Sequence, residues 1–515
     1  MNERKHVELF AGCGGMAIGM ESAGFKLEFA NELSPMAANT FAHNVLGESL
    51  ENKSKKVKWI HTKYSKKDFD NRLRENLLIH ENLENCELEI NNNLSDFKDN
   101  LLVGDVRKLL KVLLDHKISN PYNDKLDLIS GGPPCQSFSL AGKREKENYK
   151  NRLPLDFAEI CEILNPKVVL LENVKGILSA FTDEGVNYYA WFEVAKTFAL
   201  KGYAPICMLI NSKYFGIPQN RPRYIMIGLR KDIFVKLKKK RKEHPIILMV
   251  DSFIKKLNSD IDSVNLEDLK FFDIERELDL FDGDILPKPS TPSKSEWISV
   301  ENAIDDLSNP YSKVKSNYVK KINTIINPSS KSDTMVFNHH VRKHSDVTKN
   351  RFLFYQLLNH CPENKNRLIR VLTSFDSNKS MILKKSYEEL ILSFEKAKFL
   401  FPNFNQWKDF INNIKLTKKH SQRALMAELP SPAQLTIPDD ICHYSIDQPR
   451  VLTVREIARI QSFPDWFEFK SKVTTGGKSR SYEVPQYTQV GNAVPPKLAL
   501  ILGTHINNLL NIVNE

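Results

Sequence analysis

The stretch Val7-Glu8-Leu9-Phe10-Ala11-Gly12-Cys13-Gly14-Gly15 (VELFAGCGG, residues 7–15) decides the fold of this chain. It is a short apolar segment that ends in a glycine-rich turn, and a helical pattern over Met16–Ser22 follows at once. Glycine lets the backbone turn tightly and approach a ligand closely. A strand, a tight turn and a helix in this order are typical of the first unit of a doubly wound α/β sheet. Such a turn alone also fits an NAD or FAD site.

The first 230 residues continue this alternation of strands and helices. Short apolar segments bounded by Gly, Pro, Asn or Asp are typical of strands buried on both faces. The predicted strands are Val7–Phe10, Leu27–Ala30, Leu101–Val103, Leu126–Ile129, Val168–Leu171, Ile206–Ile210 and Tyr224–Leu229. The predicted helices are Met16–Ser22, Pro35–Phe41, Val106–Leu114, Asp156–Leu164 and Tyr188–Leu200. Together they predict a mostly parallel seven-stranded sheet whose ligands bind beyond the carboxyl ends of the strands.

The composition is that of a globular protein, with 41% hydrophobic and 27% charged residues. The 74 Lys and Arg against 63 Asp and Glu give a net charge of +11, which weakly favours a polyanionic partner. Seven scattered cysteines without a Cys-x-x-Cys pair argue against a disulfide framework or a zinc site. The first residues lack a signal peptide, and no apolar run approaches the roughly 20 residues that span a bilayer. We therefore expect a cytoplasmic protein with no metal and no membrane partner.

The remaining chain is organised differently. Residues 48–100 are rich in Lys, Asn and Glu and predict an insertion at the rim of the sheet, to which we assign no function. After Arg230, basic runs and Pro/Ser segments without a regular strand–helix alternation predict a second domain. From Pro485 an apolar helical pattern returns, which we expect to pack back on the first domain.

Three strand ends indicate a nucleoside ligand without a pyrophosphate. The turn has Gly-x-Gly-Gly spacing rather than Gly-x-Gly-x-x-Gly, and no basic residue follows it to meet a pyrophosphate. Glu32, at the end of the second strand, is well placed for ribose hydroxyls. Asp105, after the third strand, offers a carboxylate to an adenine amino group. We interpret the pattern as a site for S-adenosylmethionine; each residue taken singly fits a helix cap or a turn equally well.

A second group of candidates follows the later strands. Cys135 lies on a loop stiffened by a Pro pair, where burial is hard to arrange, so a nucleophile is favoured over a structural cysteine. Glu172 ends the fifth strand at the same edge, where burial can raise the pKa of a carboxyl group enough for proton donation; a structural cap is the alternative. Arg221 and Arg223 flank a proline and form a donor pair suited to a carbonyl or a phosphate.

The order of these motifs resembles that of the cytosine-C5 DNA methyltransferases, and most of all the bacterial restriction–modification methyltransferases. The motifs are Phe-x-Gly-x-Gly-Gly, Pro-Pro-Cys-Gln, Glu-Asn-Val, Gln-x-Arg-x-Arg, Arg455-Glu456-x-x-Arg459-x-Gln461-Ser462-Phe463-Pro464 and Gln489-Val490-Gly491-Asn492-Ala493-Val494-Pro495-Pro496. They cover about residues 1–230 and 450–515. The resemblance implies a Rossmann-like, S-adenosylmethionine-dependent methyltransferase domain with a second, smaller target-recognition domain.

The resemblance also implies a role for each candidate. Cys135 would add to C6 of a flipped-out cytosine, Glu172 would engage N3 and the exocyclic amine, and Arg223 would hold the O2 carbonyl. Arg221 would support the same loop. The positions that match cofactor-contacting residues are Phe10, Gly12, Gly14, Glu32, Asp105 and Asn492.

The implied domain limits are 1–230 for the catalytic and cofactor-binding domain, 231–449 for target recognition, 450–484 for the joining motif and 485–515 for the C-terminal segment. The implied partner is double-stranded DNA containing a specific sequence. We also expect a nucleoid-associated bacterial monomer that is paired in function, not physically, with a restriction endonuclease and protects host DNA from it.

Two positions depart from the family pattern, and two alternatives stay open. Glu8 stands where Asp is usual, and Leu33 stands where some members place an aromatic residue on adenine. A tRNA cytosine-C5 methyltransferase shares the early motifs, but those enzymes are shorter and carry a Cys-Phe-Thr triplet that this sequence lacks. A non-catalytic DNA-binding relative would be expected to lose Cys135, Glu172 or Arg223, and all three are present.

Overall fold

The computed structural model describes most of the chain. The described residues are 3–50, 54–65, 67–78, 97–116, 118, 121–122, 124–134, 152–183, 186–308, 314–326, 335–373, 378–417, 422–434 and 436–514. The strands are β1 Arg4–Leu9, β2 Phe25–Glu32, β3 Val57–Trp59, β4 Asn100–Val103, β5 Leu128–Gly131, β6 Val168–Val174, β7 Phe181–Asp183, β8 Val186–Tyr188, β9 Tyr203–Asn211, β10 Gln219–Asn220, β11 Pro222–Arg230, β12 Phe271–Asp273, β13 Arg423–Ala424, β14 Ser431–Pro432 and β15 Ile441–Cys442. The helices are α1 Gly15–Ser22, α2 Pro35–Phe41, α3 Phe69–Leu73, α4 Val106–Asp115, α5 Leu153–Leu164, α6 Ala190–Leu200, α7 Lys231–Lys240, α8 Pro245–Ser259, α9 Val300–Ser308, α10 Asn317–Ile325, α11 Asp346–Leu358, α12 Lys365–Thr373, α13 Lys379–Ser393, α14 Ala397–Leu400, α15 Phe404–Asn412, α16 Val454–Ile460, α17 Gln486–Asn492 and α18 Pro496–Asn514.

A large twisted sheet organises the first half of the described chain. Its nine strands follow the order β12-β9-β11-β6-β5-β1-β2-β4-β3, and they are parallel except for β11, which runs antiparallel to both neighbours. β1 pairs with β2 on one side and with β5 on the other. The strand order therefore reverses at β1, and a crevice opens there beyond the carboxyl ends of the strands.

The seven predicted strands and five predicted helices all have counterparts, and the predicted α/β class is confirmed. The predicted count of seven strands is wrong, because β3 and β12 extend the sheet at its two edges. Each has three residues and pairs on one side only, so neither produces the apolar run by which buried strands are recognised.

The elements directly after Arg230 pack with this sheet. β12 pairs with β9, and the apolar side chains of α7 and α8 share one core with the sheet and α18. The strand–helix alternation therefore ends at Arg230, but the hydrophobic core of the sheet continues beyond it through α7 and α8.

Two further cores follow. One joins α9, α10, α16 and α17 and includes Cys13 and Ile18 from the start of the chain. The other lies among helices α11 to α15. Glycine allows a close approach between α1 and α18: an added Cβ at Gly19 of α1 would lie 2.3 Å from the Pro496 carbonyl oxygen and 2.5 Å from the Ala499 Cβ, both in α18. None of the described helices is long and apolar enough to cross a membrane.

Candidate active site

A cavity of about 440 Å³ lies where the strand order reverses. Its walls come from the ends of five sheet strands, β1, β2, β4, β5 and β6, and from the segment around α17. Six predicted site residues line it: Phe10, Gly12, Glu32, Asp105, Glu172 and Asn492. Segments that are distant in the sequence therefore meet at one site, as expected for the crevice of a doubly wound sheet.

The glycine-rich turn holds a carboxylate at the floor of this cavity. The Gly12 amide donates a hydrogen bond to Glu32 Oε2 at 2.7 Å, and the Ser34 amide donates to Glu32 Oε1 at 2.7 Å. Burial raises the pKa of Glu32, and these two hydrogen bonds oppose the rise. Both carboxylate oxygens are thus fixed by the backbone, and the orientation of Glu32 is set before any ligand arrives.

Phe10 and Gly14 both have positive φ but lie on different sides of the turn. Phe10 has a φ of 57°, a conformation that is rare for an aromatic residue, and its ring packs edge-on against Phe157 at 6.2 Å. An added Cβ at Gly14 would lie 2.9 Å from Val45 and 3.1 Å from Phe41, so this position accepts only glycine. The structure places Gly14 against α2 and not among the residues that line the cavity.

Asp105 caps α4 and is held by an arginine that also lines the cavity. Its Oδ1 accepts from the Arg107 amide at 2.9 Å, and Arg107 Nε donates to Oδ1 and Oδ2 at 3.1 and 3.0 Å. The predicted carboxylate is therefore present at the third strand end, with a charge partner that the sequence motif did not reveal.

Glu8 is the least satisfied polar group at the site. It is 2% exposed and lines the cavity, and its Oε2 has no hydrogen-bond partner among the described residues. Burial, and secondarily the charge of Glu32, raises its pKa well above the ordinary 4.5. A buried carboxyl group without a partner favours a ligand that donates a hydrogen bond or carries positive charge.

Glu172, which lines the cavity, forms an ion pair with Arg223, which is not among the lining residues. Arg223 Nε lies 2.8 Å from Glu172 Oε1, and each side chain is 11% exposed. Burial lowers the pKa of Arg223, and the carboxylate of Glu172 opposes that shift. The pair offers an acceptor and a donor side by side at the edge of the cavity.

The loop that carries Cys135 starts beside this pair. Gly132, Pro133 and Pro134 line the cavity, and an added Cβ at Gly132 would lie 3.2 Å from Glu172 Oε2. Asn173 Nδ2 donates to the Pro133 carbonyl at 3.0 Å and ties the loop to β6. Cys135 itself lies outside the described residues.

Arg221 is buried behind the site. Its Nη2 donates to the carbonyl oxygens of Gly491 and Ala493, both at 3.1 Å, and thereby holds the backbone on either side of Asn492. Arg221 is 2% exposed and does not line the cavity. Its place is that of a support for the turn that carries Asn492.

Several lining residues were missed by the sequence analysis. Besides Arg107, they include Glu75, Asn76, Leu77 and Leu78 of the insertion and Ser481, Tyr482, Val484 and Gln489 near α17. Only Gln489 belonged to a recognised motif. The others lie in segments without local patterns, so only the folded arrangement reveals them.

The site fits S-adenosylmethionine on three observations. Glu8 supplies an unpartnered buried oxygen, Gly12 leaves open space where a side chain would stand, and the lining carboxylates suit a cationic nucleoside. Fold and site together define an S-adenosylmethionine-dependent methyltransferase.

The sequence model of the C-5 cytosine-specific DNA methylases matches residues 4–71 and 97–508, and the chain belongs to that family. It is accordingly an enzyme that methylates C5 of cytosine in DNA, and the target base must leave the stacked duplex to be reached.

Curated relatives of similar length support this assignment. The type II methyltransferase M.DdeI of Desulfomicrobium norvegicum is 26% identical over 526 residues, covering 99% of this chain and 90% of its own. The type II methyltransferase M.Bpa9945I of Bacillus paralicheniformis is 25% identical over 544 residues, covering 98% and 99%. Among solved structures, the Dnmt2 methyltransferase of S. pombe aligns over 99% of this chain and 100% of its own, with 14% identity and a TM-score of 0.39.

Proposed function

We propose that the side of the cavity at Glu172, whose carboxylate pairs with Arg223, receives the flipped cytosine, with Cys135 as the nucleophile. The observation that carries the proposal is the ion pair between these two residues beside the loop that leads to Cys135. C5 of cytosine is a poor nucleophile because the ring is electron-deficient. Addition of a thiolate to C6 removes that obstacle.

In the proposed reaction, each residue acts on a stated atom of the base. The Cys135 thiolate bonds to C6, Glu172 engages N3 and the exocyclic amine of the base, and Arg223 stabilises the O2 carbonyl by a charge-assisted hydrogen bond. The electron pair displaced from the C5–C6 bond makes C5 nucleophilic. After methylation, loss of the C5 proton and elimination of the thiol restore the aromatic ring.

We further propose that Phe10, Gly12, Gly14, Glu32, Asp105 and Asn492 form the cofactor site. When bound, S-adenosylmethionine supplies the methyl group that C5 takes up. Glu32, already oriented by two backbone amides, would accept hydrogen bonds from the ribose hydroxyls, and Asp105 would accept from the adenine amino group. Gly14 would act indirectly, since its contact with α2 sets the course of the turn.

The proposed DNA-reading part is the region between the sheet and α16. Because α7, α8 and β12 pack with the sheet, we propose that target recognition uses about residues 300–449 and not 231–449. There, side chains would read base edges in the major groove while basic residues contact phosphates.

We also propose a nucleoid-associated monomer that protects DNA from a restriction endonuclease. Two relatives named type II methyltransferases support this pairing.

The test is covalent trapping on DNA that carries 5-fluorocytosine, in which C5 has no removable proton. With S-adenosylmethionine, the wild-type protein is expected to form an adduct stable to denaturation, and Cys135→Ala is expected to form none while still binding the DNA. Cys361→Ala, a change at a buried cysteine that does not line the cavity, is the matched control and is expected to keep the adduct. An adduct with Cys135→Ala would overturn the mechanism. Bisulfite sequencing of DNA from expressing cells identifies the target.

A further inference from the structure

The insertion contributes a wall to the cofactor cavity. Four consecutive residues, Glu75 to Leu78, line it, although no family motif covers them. Leu77 is 3% exposed, whereas Leu78 is half-buried, and both line the cavity. At this wall the cavity presents apolar side chains, which favour contact with an apolar surface of a ligand.

Side chains within the insertion hold this wall in place. Glu75 is buried, and its two carboxylate oxygens accept from Thr62 Oγ1 at 2.5 Å and from the Lys63 amide at 3.0 Å. Asn76 Oδ1 accepts from the Leu78 amide at 3.1 Å, which fixes the turn that presents Leu78. The wall is therefore built by local hydrogen bonds and does not depend on a ligand for its shape.

The wall is also attached to the sheet at a defined place. His61 Nε2 donates to the Leu77 carbonyl at 3.1 Å. An added Cβ at Gly104 would lie 2.8 Å from Ile60 and 3.0 Å from His61 Nδ1, so this segment packs directly on the residue that precedes Asp105. Hence Leu77 and Leu78 border the same end of the cavity as Asp105.

Leu33 lies at this end too. Leu77 belongs to the apolar cluster formed by α2, β3 and β4, and Leu33 packs against that cluster. Leu33 is also the position at which some family members carry an aromatic residue. The insertion thus brings apolar surface to the place where this chain lacks an aromatic ring.

We propose that Leu77 and Leu78, supplied by the insertion, form the apolar wall against one face of the adenine ring of the cofactor. The inference rests on the proposed cofactor site and adds a residue pair outside the family motifs. The face of a purine ring is apolar and gains from contact with an aliphatic side chain, whereas its edge is left to Asp105. Leu78 is the residue in contact with the base, and Leu77 is the positioning residue beneath it.

The test compares the binding of two ligands, measured calorimetrically or by competition. Leu78→Ala is expected to weaken S-adenosylhomocysteine and adenosine by the same factor, on the order of tenfold, because the lost contact is to the shared base. Leu78→Phe is expected to bind both at least as tightly as the wild type. Leu392→Ala, a matched change at a leucine that is 88% exposed, is expected to alter neither.

The outcomes separate this inference from the function on which it rests. Glu32→Gln in the same assay reports on the cofactor site itself. If Glu32→Gln weakens binding and Leu78→Ala does not, the wall is overturned and the site stands; if neither weakens it, both are overturned. A loss for S-adenosylhomocysteine but not for adenosine would place Leu78 at the amino-acid end and refute the proposal. A tenfold loss with Leu78→Phe would refute it as well, and this variant decides the case if Leu78→Ala does not fold.

Discussion

Arg223 Nε lies 2.8 Å from Glu172 Oε1 across two antiparallel strands, β11 and β6. In the register of this pair, Ile225 stands opposite Glu172 and Arg223 stands opposite Val174, so the two charged residues are diagonal neighbours on one face of the sheet. The antiparallel insertion of β11 into an otherwise parallel sheet is what creates this contact. If β11 ran parallel to β6, its first residues would lie beside the amino end of β6. Arg223 would then be far from Glu172, which lies near the carboxyl end of β6.

The first prediction concerns the guanidinium of Arg223. Arg223→Lys keeps the positive charge but loses the planar donor group that can hold Glu172 and a carbonyl together. We expect the single-turnover rate of DNA methylation to fall about 10²-fold or more, the usual effect of removing one electrostatic stabiliser. Arg230→Lys, at the other end of the same strand and paired with Asp232, is the control and is expected to stay near the wild-type rate. Equal rates for both variants would contradict the role of Arg223.

The second prediction concerns Arg221. Arg221→Met removes the donor shared by the buried Gly491 carbonyl and the partly buried Ala493 carbonyl, and a buried group left unsatisfied costs about 1–3 kcal/mol. We expect a lower thermal midpoint and weaker binding of S-adenosylhomocysteine, because the turn around Asn492 loses its support. Arg241→Met, at a partly exposed pair with Asp284, is the matched control. Unchanged ligand affinity in a destabilised Arg221 variant would limit Arg221 to a structural role.

The sequence predicts the parts of this site that depend on strand ends. The turn at Gly12 and the carboxylates Glu32, Asp105 and Glu172 were assigned from short apolar segments followed by polar residues, and the sheet brings them to one cavity. This works because parallel strands place their carboxyl ends at the same edge. The position of a strand end and the polar residue that follows it can be read from a few consecutive residues, so a single sequence is enough to predict them.

The remaining parts depend on contacts between distant segments. The wall at Leu78 and the packing of α7 on the sheet have no local signature, since each is defined by a partner elsewhere in the chain. Gly14 illustrates the same limit at a single residue. Its place in the motif indicated the ligand side of the turn, whereas its neighbours in space are Phe41 and Val45.

The third prediction is a pH dependence that Glu8 produces. Its pKa in the folded protein is raised, so between about pH 4.5 and that higher value the folded state holds a proton that the unfolded chain has released. Stability then falls as the pH rises, by at most about 1.4 kcal/mol per pH unit. Glu8→Gln abolishes this contribution, so the thermal midpoint of the variant should rise relative to that of the wild type as the pH increases from about 4.5 toward the raised pKa of Glu8.

The control for this experiment is Glu267→Gln, at an exposed position, which should give a curve parallel to the wild type. Since Glu32 also contributes to the shift at Glu8, the titration belongs in part to the pair. A Glu8→Gln curve parallel to the wild type would mean that Glu8 is ionised in the folded protein.

The fourth prediction links the end of the chain to the cofactor cavity. Gly19→Ala places a methyl group where the Pro496 carbonyl and the Ala499 Cβ already lie within 2.3 and 2.5 Å, so α1 and α18 must separate. Overpacking of this kind costs about 1–3 kcal/mol, even after the gain in helix propensity from glycine to alanine. Because α1 begins at the turn that holds Glu32, a shift of α1 should weaken S-adenosylhomocysteine as well as lower the thermal midpoint. Gly476→Ala, where an added Cβ meets nothing within 4 Å, is the control and should change neither. A loss of stability with full ligand affinity would show that the turn keeps its geometry independently of α18.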